Sequence, residues 1–168
     1  MSKETINVQV SINEWRNLDK LTKIGRDKAY RFELVEESSN VLKKKKALGS
    51  TEPDIFDNNG KDKLDAYKIG SILNFTIELE KVGNKYKEKK LRLILLWGSK
   101  GSKAWSSQSI KPNEYFVHED ELNTYDREDS CKFEKASSYL LYTIHLWPSH
   151  LSIEEARKKA NDKGLTSM

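Results

Sequence analysis

Cysteine and long apolar runs are scarce in this sequence, and each scarcity excludes a class of protein. Cys131 is the only cysteine in the 168 residues, so an intramolecular disulfide framework is excluded. The longest uninterrupted apolar run, Leu93 to Trp97, is far too short to span a bilayer. The start M-S-K-E-T-I-N-V also lacks the basic-then-apolar pattern of a signal peptide. We therefore predict a protein of the cytoplasm or of another reducing intracellular compartment.

Catalytic and nucleotide-binding motifs are missing as well. The stretch 98–103, G-S-K-G-S-K, does not have the spacing of a phosphate-binding loop, and no G-x-G-x-x-G occurs. The three histidines, His118, His145 and His150, do not form a metal-binding motif with their sequence neighbours. These absences favour a protein that is not an enzyme and that holds no cofactor and no metal.

Charged and aromatic residues are abundant. Charged residues make up 33% of the chain and hydrophobic residues 36%, with four Trp, seven Tyr and five Phe, a content too aromatic for a disordered protein. We predict a single domain over residues 1–168. Residues 1–110 contain 22 Lys/Arg against 15 Asp/Glu, whereas residues 111–168 contain 8 against 11. The basic excess lies in residues 43–46, in residues 85–92 and at Lys100 and Lys103.

Strict alternation of apolar and polar residues predicts most of the secondary structure as β-strands. It occurs in Ile6 to Ile12, Tyr30 to Leu34, Leu73 to Leu79 and Leu91 to Trp97. Ser137 to Trp147 is apolar on both faces, a pattern typical of a central strand. We expect these strands to form one antiparallel sheet, strongly bent or closed into a partial, OB-like barrel.

The stretch from Ile72 to Trp97 is predicted to be one long β-hairpin. A three-residue loop at residues 83–85 would pair Ile77 with Leu91 and keep both apolar sets on one face. A two-residue loop at Gly83 and Asn84 would instead place charges on the apolar face. The pattern therefore favours the three-residue loop.

Two helices and two irregular segments complete the predicted α+β fold. Asn13 is expected to cap a first helix that ends at Gly25, and Ser152 with Glu155 forms a capping box for a short C-terminal helix. Residues 37–63 are rich in turn-forming and charged residues and predict a mobile loop. Residues 119–134 are acidic and aperiodic and predict an exposed excursion.

The end of the predicted hairpin carries the main functional hypothesis. It combines cations with aromatic rings, which suits a groove that neutralises phosphates and stacks bases, as in barrels of the OB type. The predicted nucleic-acid-binding residues are Lys85, Tyr86, Lys87, Lys89, Lys90, Arg92, Lys100, Lys103 and Trp105. The expected partner is a nucleic acid, with DNA and RNA both open. The simpler interpretation is a solvated lysine-rich tip that protects a sheet edge from aggregation.

A magnesium-dependent nuclease is one alternative. Pro53 and Asp54, followed by Glu78-x-Glu80 and Lys90, form a pattern that resembles in outline the PD-(D/E)xK nucleases. That resemblance implies an acid cluster that holds Mg²⁺ for phosphodiester hydrolysis. Ordinary cross-strand pairing of Glu78 and Glu80 with lysines explains the same residues.

A β-rich binding module without nucleic-acid activity is the other alternative. Such a domain would bind a protein or a small ligand through an aromatic surface or pocket. The candidates are Trp97, Trp105, Trp147, Tyr139 and Tyr142, although packing in the core is the better explanation for Trp97 and Trp147.

Overall fold

Strands dominate the described part of the chain. The computed structural model describes residues 2–16, 28–36, 46–51, 54–56, 70, 72–88, 90–99, 106–107, 113–116, 127–133, 138–162 and 164. Within them the strands are β1 (Ser2–Arg16), β2 (Lys28–Glu36), β3 (Lys46–Ser50), β4 (Asp54–Phe56), β5 (Ile72–Val82), β6 (Lys85–Tyr86), β7 (Lys90–Ser99), β8 (Ser106–Ser107), β9 (Asn113–Phe116), β10 (Arg127–Phe133) and β11 (Ser138–Pro148). One helix, α1 (Ile153–Asp162), follows β11.

The strands form two antiparallel sheets. The first sheet has the order β10-β11-β1-β5-β6, and the second has β3-β2-β7-β8, with β4 paired to β2 and β9 paired to β7. The predicted mainly antiparallel architecture with a C-terminal helix is confirmed, and the strands curl into a half-barrel. The OB-like form of the prediction is not confirmed.

The hydrophobic core lies between the two sheets. On the first sheet, alternate residues of β1, β5 and β11 point inward, because their side chains have a period of two along each strand. Phe32 and Leu34 of β2 and Leu91 and Leu93 of β7 close the core from the second sheet. From the first sheet the core contains Ile6, Val8, Val10, Ile12, Leu73, Ile77, Leu79, Tyr142, Ile144 and Leu146. The alternation seen in the sequence therefore does mark the buried faces.

The long hairpin predicted over 72–97 is wrong. The chain makes a two-residue turn at Gly83 and Asn84, so that Lys81 pairs with Tyr86 and Val82 with Lys85. Gly83 adopts a φ of 65°, a left-handed conformation that glycine tolerates at no steric cost. After Tyr86 the chain leaves the first sheet, and β7 pairs with β2 in the second sheet instead. A two-residue turn therefore places no charge on the apolar face, because its return strand is only two residues long.

The helix predicted from Asn13 is not shown. Strand β1 continues through Asn13 to Arg16, and its last residues pair with β11 in the register Glu14 to Leu141 and Arg16 to Tyr139. A register shift between Ile12 and Glu14 lets the strand pass the point where the alternation ends. The remainder of that predicted helix, residues 17–25, lies outside the described residues.

The C-terminal helix forms where its capping box predicts it. The Ser152 hydroxyl oxygen accepts a hydrogen bond from the Glu155 N–H at 3.1 Å, and the Glu155 carboxylate accepts one from the Ser152 N–H at 3.5 Å. Ala156 and Ala160 are buried in the same cluster as Trp147. The helix thus covers part of the sheet around β11. No helix in the described part of the chain is long and apolar enough to cross a membrane.

The two segments predicted to be irregular contain strands. Strands β3 and β4 lie within residues 37–63, and β10 lies within residues 119–134. Neither segment shows period-two alternation in its sequence, because these short strands lie at or near the edges of their sheets. The single-domain organisation stays a prediction.

Candidate functional site

The end of the β5–β6 turn is a closed polar network rather than an open aromatic surface. Tyr86 is only 3% exposed, and its hydroxyl donates a hydrogen bond to Oε2 of Glu4 at 2.8 Å. The Lys81 ammonium lies 2.9 Å from the same oxygen and 4.8 Å from the centre of the Tyr86 ring. A buried ring held by these contacts cannot stack on a base.

Glu4 is held ionised by this network. Burial raises the pKa of Glu4, but hydrogen bonds from Lys81 and Tyr86 and the charges of Lys81 and His150 outweigh burial and hold the pKa below its ordinary value. His150 Nδ1 lies 3.6 Å from Oε1 of Glu4. Residues from β1, β5, β6 and the loop after β11 are thereby joined at one end of the first sheet.

Glu88 is a buried acid inside the lysine-rich segment. Its carboxylate accepts hydrogen bonds from the Glu80 N–H at 2.9 and 3.2 Å, and the Lys87 N–H donates to the Glu80 carbonyl at 2.9 Å. Burial raises the pKa of Glu88, and the charges of Glu36 and Glu80 act in the same direction. Glu88 therefore fixes the point at which the chain leaves the first sheet.

The lysines of this region have acidic neighbours. Lys87 Nζ lies 3.2 Å from Oε2 of Glu80, and this ion pair raises the pKa of Lys87. Lys3 Nζ lies 3.7 Å from Oε2 of Glu78. Lys87 of the predicted tip and Lys3 of β1 thus each lie beside a glutamate, and the described surface at this end of the sheet carries mixed charge.

The predicted nucleic-acid-binding residues that the structure describes are divided between the two sheets. Lys85, Tyr86 and Lys87 lie at the end of the first sheet or just after it, whereas Lys90 and Arg92 belong to β7 in the second sheet. The predicted residues Lys89, Lys100, Lys103 and Trp105 lie outside the described residues.

The acids proposed for a nuclease centre belong to different sheets. Asp54 belongs to β4 of the second sheet, whereas Glu78 and Glu80 belong to β5 of the first sheet. In the part of the chain that the structure describes, no group of three or more His, Cys, Asp or Glu side chains could hold a metal ion. The described residues thus give no support to a magnesium centre.

A groove of about 440 Å³ lies between the edges of β5 and β3, and we call it the β5–β3 groove. Its lining residues are Lys3, Ala47, Leu48, Thr76, Ile77, Glu78, Glu80 and Glu88. Three carboxylates and one ammonium line it, so its charge is the opposite of that expected for a phosphate-binding surface. Gly49 of β3 closes one end of the groove.

Gly49 brings the two strands into close contact. A Cβ atom added at Gly49 would lie 2.6 Å from the carbonyl oxygen of Thr76 and 2.9 Å from Cγ2 of Ile77. Real Cβ atoms do not approach other atoms so closely, so only glycine allows β3 to lie this near to β5. The edges of the two sheets therefore touch at Gly49 and leave a gap between Thr76 and Glu80.

Within the described part of the chain, one edge of β5 is hydrogen-bonded to no strand over most of its length. Strand β5 pairs with β1 from Ile72 to Lys81, but on its other side β6 pairs only with Lys81 and Val82. Among the described residues no strand pairs with this side of β5 between Ile72 and Glu80. An edge of this kind offers backbone N–H and C=O groups to another chain.

A second groove of about 440 Å³ lies on the outer face of the first sheet. It is lined by Asn7, Val8, Asn74, Phe75, Thr76 and Trp147. Gln9 Nε2 donates a hydrogen bond to Oδ1 of Asn74 at 3.1 Å beside it. Trp147 is buried there, so packing accounts for this ring and it forms no open platform.

Sequence reasoning missed the residues that shape the β5–β3 groove. Glu88 stands out only as the one acid within K-Y-K-E-K-K, and Gly49 as the one glycine of a short apolar stretch. The acid could have been recognised as a partner for a backbone group. The glycine could not, because the sequence does not show which strand lies opposite.

Solved structures similar to this chain share little sequence identity with it. No family model matches the sequence, and no curated protein matches it. Similar solved structures include a C2 domain, at 12% identity and a TM-score of 0.40, covering 86% of this chain and 96% of that chain. Another is a C2 domain protein from Ramazzottius varieornatus, at 10% identity and a TM-score of 0.39, covering 88% of this chain and 92% of that chain.

The predicted nucleic-acid-binding function is wrong. The geometry gives the physical reason, because Tyr86 is buried and Lys87 is paired with Glu80. A nucleic acid is accordingly removed as the expected partner, and the alternative of a binding module of another class replaces it.

Proposed function

We propose that this chain is a protein-binding β domain that receives its partner at the β5–β3 groove. One observation supports the proposal most directly: a groove of about 440 Å³ adjoins a strand edge that pairs with no described strand between Ile72 and Glu80. Exposed strand edges are recognised by other polypeptides through main-chain hydrogen bonds. A reducing intracellular compartment is kept as a prediction, because it depends only on the single Cys131 and the sequence pattern.

The direction of the backbone groups on β5 supports binding at this edge. The N–H and C=O of Glu80 both bond to groups on the side away from β1, namely the Glu88 carboxylate and the Lys87 N–H. In an antiparallel strand, residues two positions apart point their backbone groups to the same side. The backbone groups of Glu78, Thr76 and Asn74 therefore also point away from β1, toward the edge.

The side chains along this edge are accessible to a partner. Asn74, Thr76 and Glu78 are exposed, and Ile72 at the start of the strand is 57% exposed. An apolar residue beside hydrogen-bonding groups lets a partner bury apolar area, and the hydrogen bonds orient that partner. The proposal does not need Tyr86 or the lysines of the turn as contacts.

Selection from a random-peptide display library tests this proposal. We expect the selected peptides to bind the original chain and Glu154→Gln equally, and to bind Glu78→Pro about tenfold more weakly, since proline removes one edge-facing N–H. Proline is tolerated on edge strands, and a thermal unfolding curve checks that the Glu78→Pro variant folds. Glu154 is exposed on α1, away from the groove, and serves as the matched control.

Two outcomes contradict protein binding at this edge. One is a library that yields no peptide that binds the folded chain. The other is a set of peptides that bind Glu78→Pro as tightly as the original chain. Capture of an unidentified protein without this dependence on Glu78 does not count as support.

A further inference from the structure

We infer that the segment received by the β5–β3 groove is an extended, lysine- or arginine-rich strand that pairs with β5 beside Glu78. This inference rests on the proposed protein-binding function and names the chemistry of the partner. It depends on three features of the groove: how β5 is already capped, where β3 blocks it, and which charges line it.

The chain itself imitates strand pairing at one residue of the edge. Glu80 donates to the Glu88 carboxylate and accepts from the Lys87 N–H, as it would with the C=O and N–H of a neighbouring strand. This imitation ends at Glu80, because the chain after Glu88 continues into β7 of the second sheet. Glu78 is therefore the next edge residue that an added strand would meet.

Strand β3 determines how far an added strand can extend. Gly49 contacts the Thr76 carbonyl closely enough that no further chain fits between them. Glu80 is already bonded to Glu88 and Lys87, so Glu78 is the described edge residue that remains between the Gly49 contact and this cap. An added strand would therefore pair with the backbone of Glu78, and its other residues would run outward over the surface.

The lining charges favour a cationic segment. The described lining includes the acids Glu78, Glu80 and Glu88 and the cation Lys3, while Lys87 beside it pairs with Glu80. The side chains of Lys3 and Glu78 are 66% and 61% exposed at a separation of 3.7 Å, and exposed ion pairs of this kind contribute little stability. An arriving ammonium or guanidinium group can therefore replace Lys3 at Glu78 with little loss, whereas an acidic segment would be repelled.

The net positive charge of the chain works against this partner. The chain has a net charge of +4, so a cationic peptide is repelled by the molecule as a whole. Binding of such a peptide would have to come from local charge and backbone pairing. This makes charge reversal of the peptide a sharp test.

The test compares three labelled peptides of eight residues by fluorescence anisotropy. The first alternates lysine with valine, the second alternates glutamate with valine, and the third is the lysine peptide with all of its backbone amides methylated. We expect only the first to bind at low salt, since the third cannot donate to the Glu78 carbonyl. Glu78→Gln should weaken its binding about threefold, and Glu154→Gln should leave the binding unchanged.

Each contrary result has a separate meaning. Equal binding of the lysine and glutamate peptides, or undiminished binding of the methylated one, overturns the inference of a basic strand. Library peptides that are acidic or apolar yet depend on Glu78 would also overturn it while leaving protein binding at this edge intact. A library without any binder would remove the proposed function itself.

Discussion

Tyr86 shows how one residue changes meaning between sequence and structure. Its position among lysines indicates an exposed stacking ring, yet it is 3% exposed and bonded to Glu4. The inward orientation follows from its cross-strand neighbour, because Tyr86 pairs with Lys81 and shares the inner face with Leu79 and Ile77. A hydroxyl bonded to a carboxylate satisfies the polar end of the ring without exposing it.

Glu88 is the residue whose protonation should affect folding most clearly. Because burial raises the pKa of Glu88 above its ordinary value of 4.5, the folded chain binds this proton more tightly than the unfolded chain does. Its contribution to the free energy of unfolding therefore becomes less favourable as pH rises from the unfolded pKa to the folded one. Below that window the penalty is absent.

We predict that Glu88→Gln changes the free energy of unfolding more favourably at pH 7 than at pH 4. The amide oxygen of glutamine can still accept from the Glu80 N–H, but it carries no charge to bury. Urea unfolding at both pH values measures the difference between the variant and the original chain. A difference that is the same at pH 4 and pH 7 would contradict the raised pKa, and Glu154→Gln is the control for removal of an exposed acid.

Among the elements of the fold, β5 forms the edge at which the partner is proposed to bind. Strand β1 covers one side of it, and its inward residues lie in the core. On the other side, Glu88 and Gly49 each occupy a short part of the edge. The rest of the edge pairs with no described strand, because the chain continues into β7 of the second sheet.

We predict that Gly49→Ala lowers the free energy of unfolding by about 1 to 3 kcal/mol, because its Cβ would collide with Thr76 and Ile77 of β5. Where space is open, the same substitution in a strand stabilises by about 0.5 to 1 kcal/mol, since glycine loses more chain entropy on folding. Chemical unfolding therefore tests the close contact, because the sign of the change in the free energy of unfolding distinguishes a collision from open space. A stabilised Gly49→Ala would show that β3 does not approach β5 closely.

Sequence patterns predict the faces of these strands better than their partners. The alternation in β1, β5 and β7 identifies the buried residues, and Ser152 with Glu155 locates the C-terminal helix. The pairing of β5 with β7 is predicted wrongly, because both strands have the same period and either partner buries the same residues. The strand partner is determined by the polar interaction at Glu88, where the chain leaves the first sheet. A hydrophobic pattern cannot predict this interaction, because it joins a side chain to the backbone.

At the scale of the whole molecule, charge asymmetry is a poor guide to the partner. The excess of lysine and arginine in residues 1–110 suggests a polyanion, but in the folded chain Glu4, Glu78 and Glu80 lie beside lysines of the same region. The first sheet pairs β1 with β5, which come from opposite parts of that segment. Folding thus converts a basic sequence segment into a groove lined mainly by carboxylates.

The free edge of β5 is tested most directly by amide hydrogen exchange of residues 73–79. In the free chain, we expect slow exchange for Leu73, Phe75 and Ile77, whose amides point toward β1, and fast exchange for Glu78. Addition of the lysine–valine peptide should slow the Glu78 amide. Slow exchange at Glu78 without any peptide would show that the edge is already occupied, and an unchanged rate with bound peptide would show that the partner docks elsewhere.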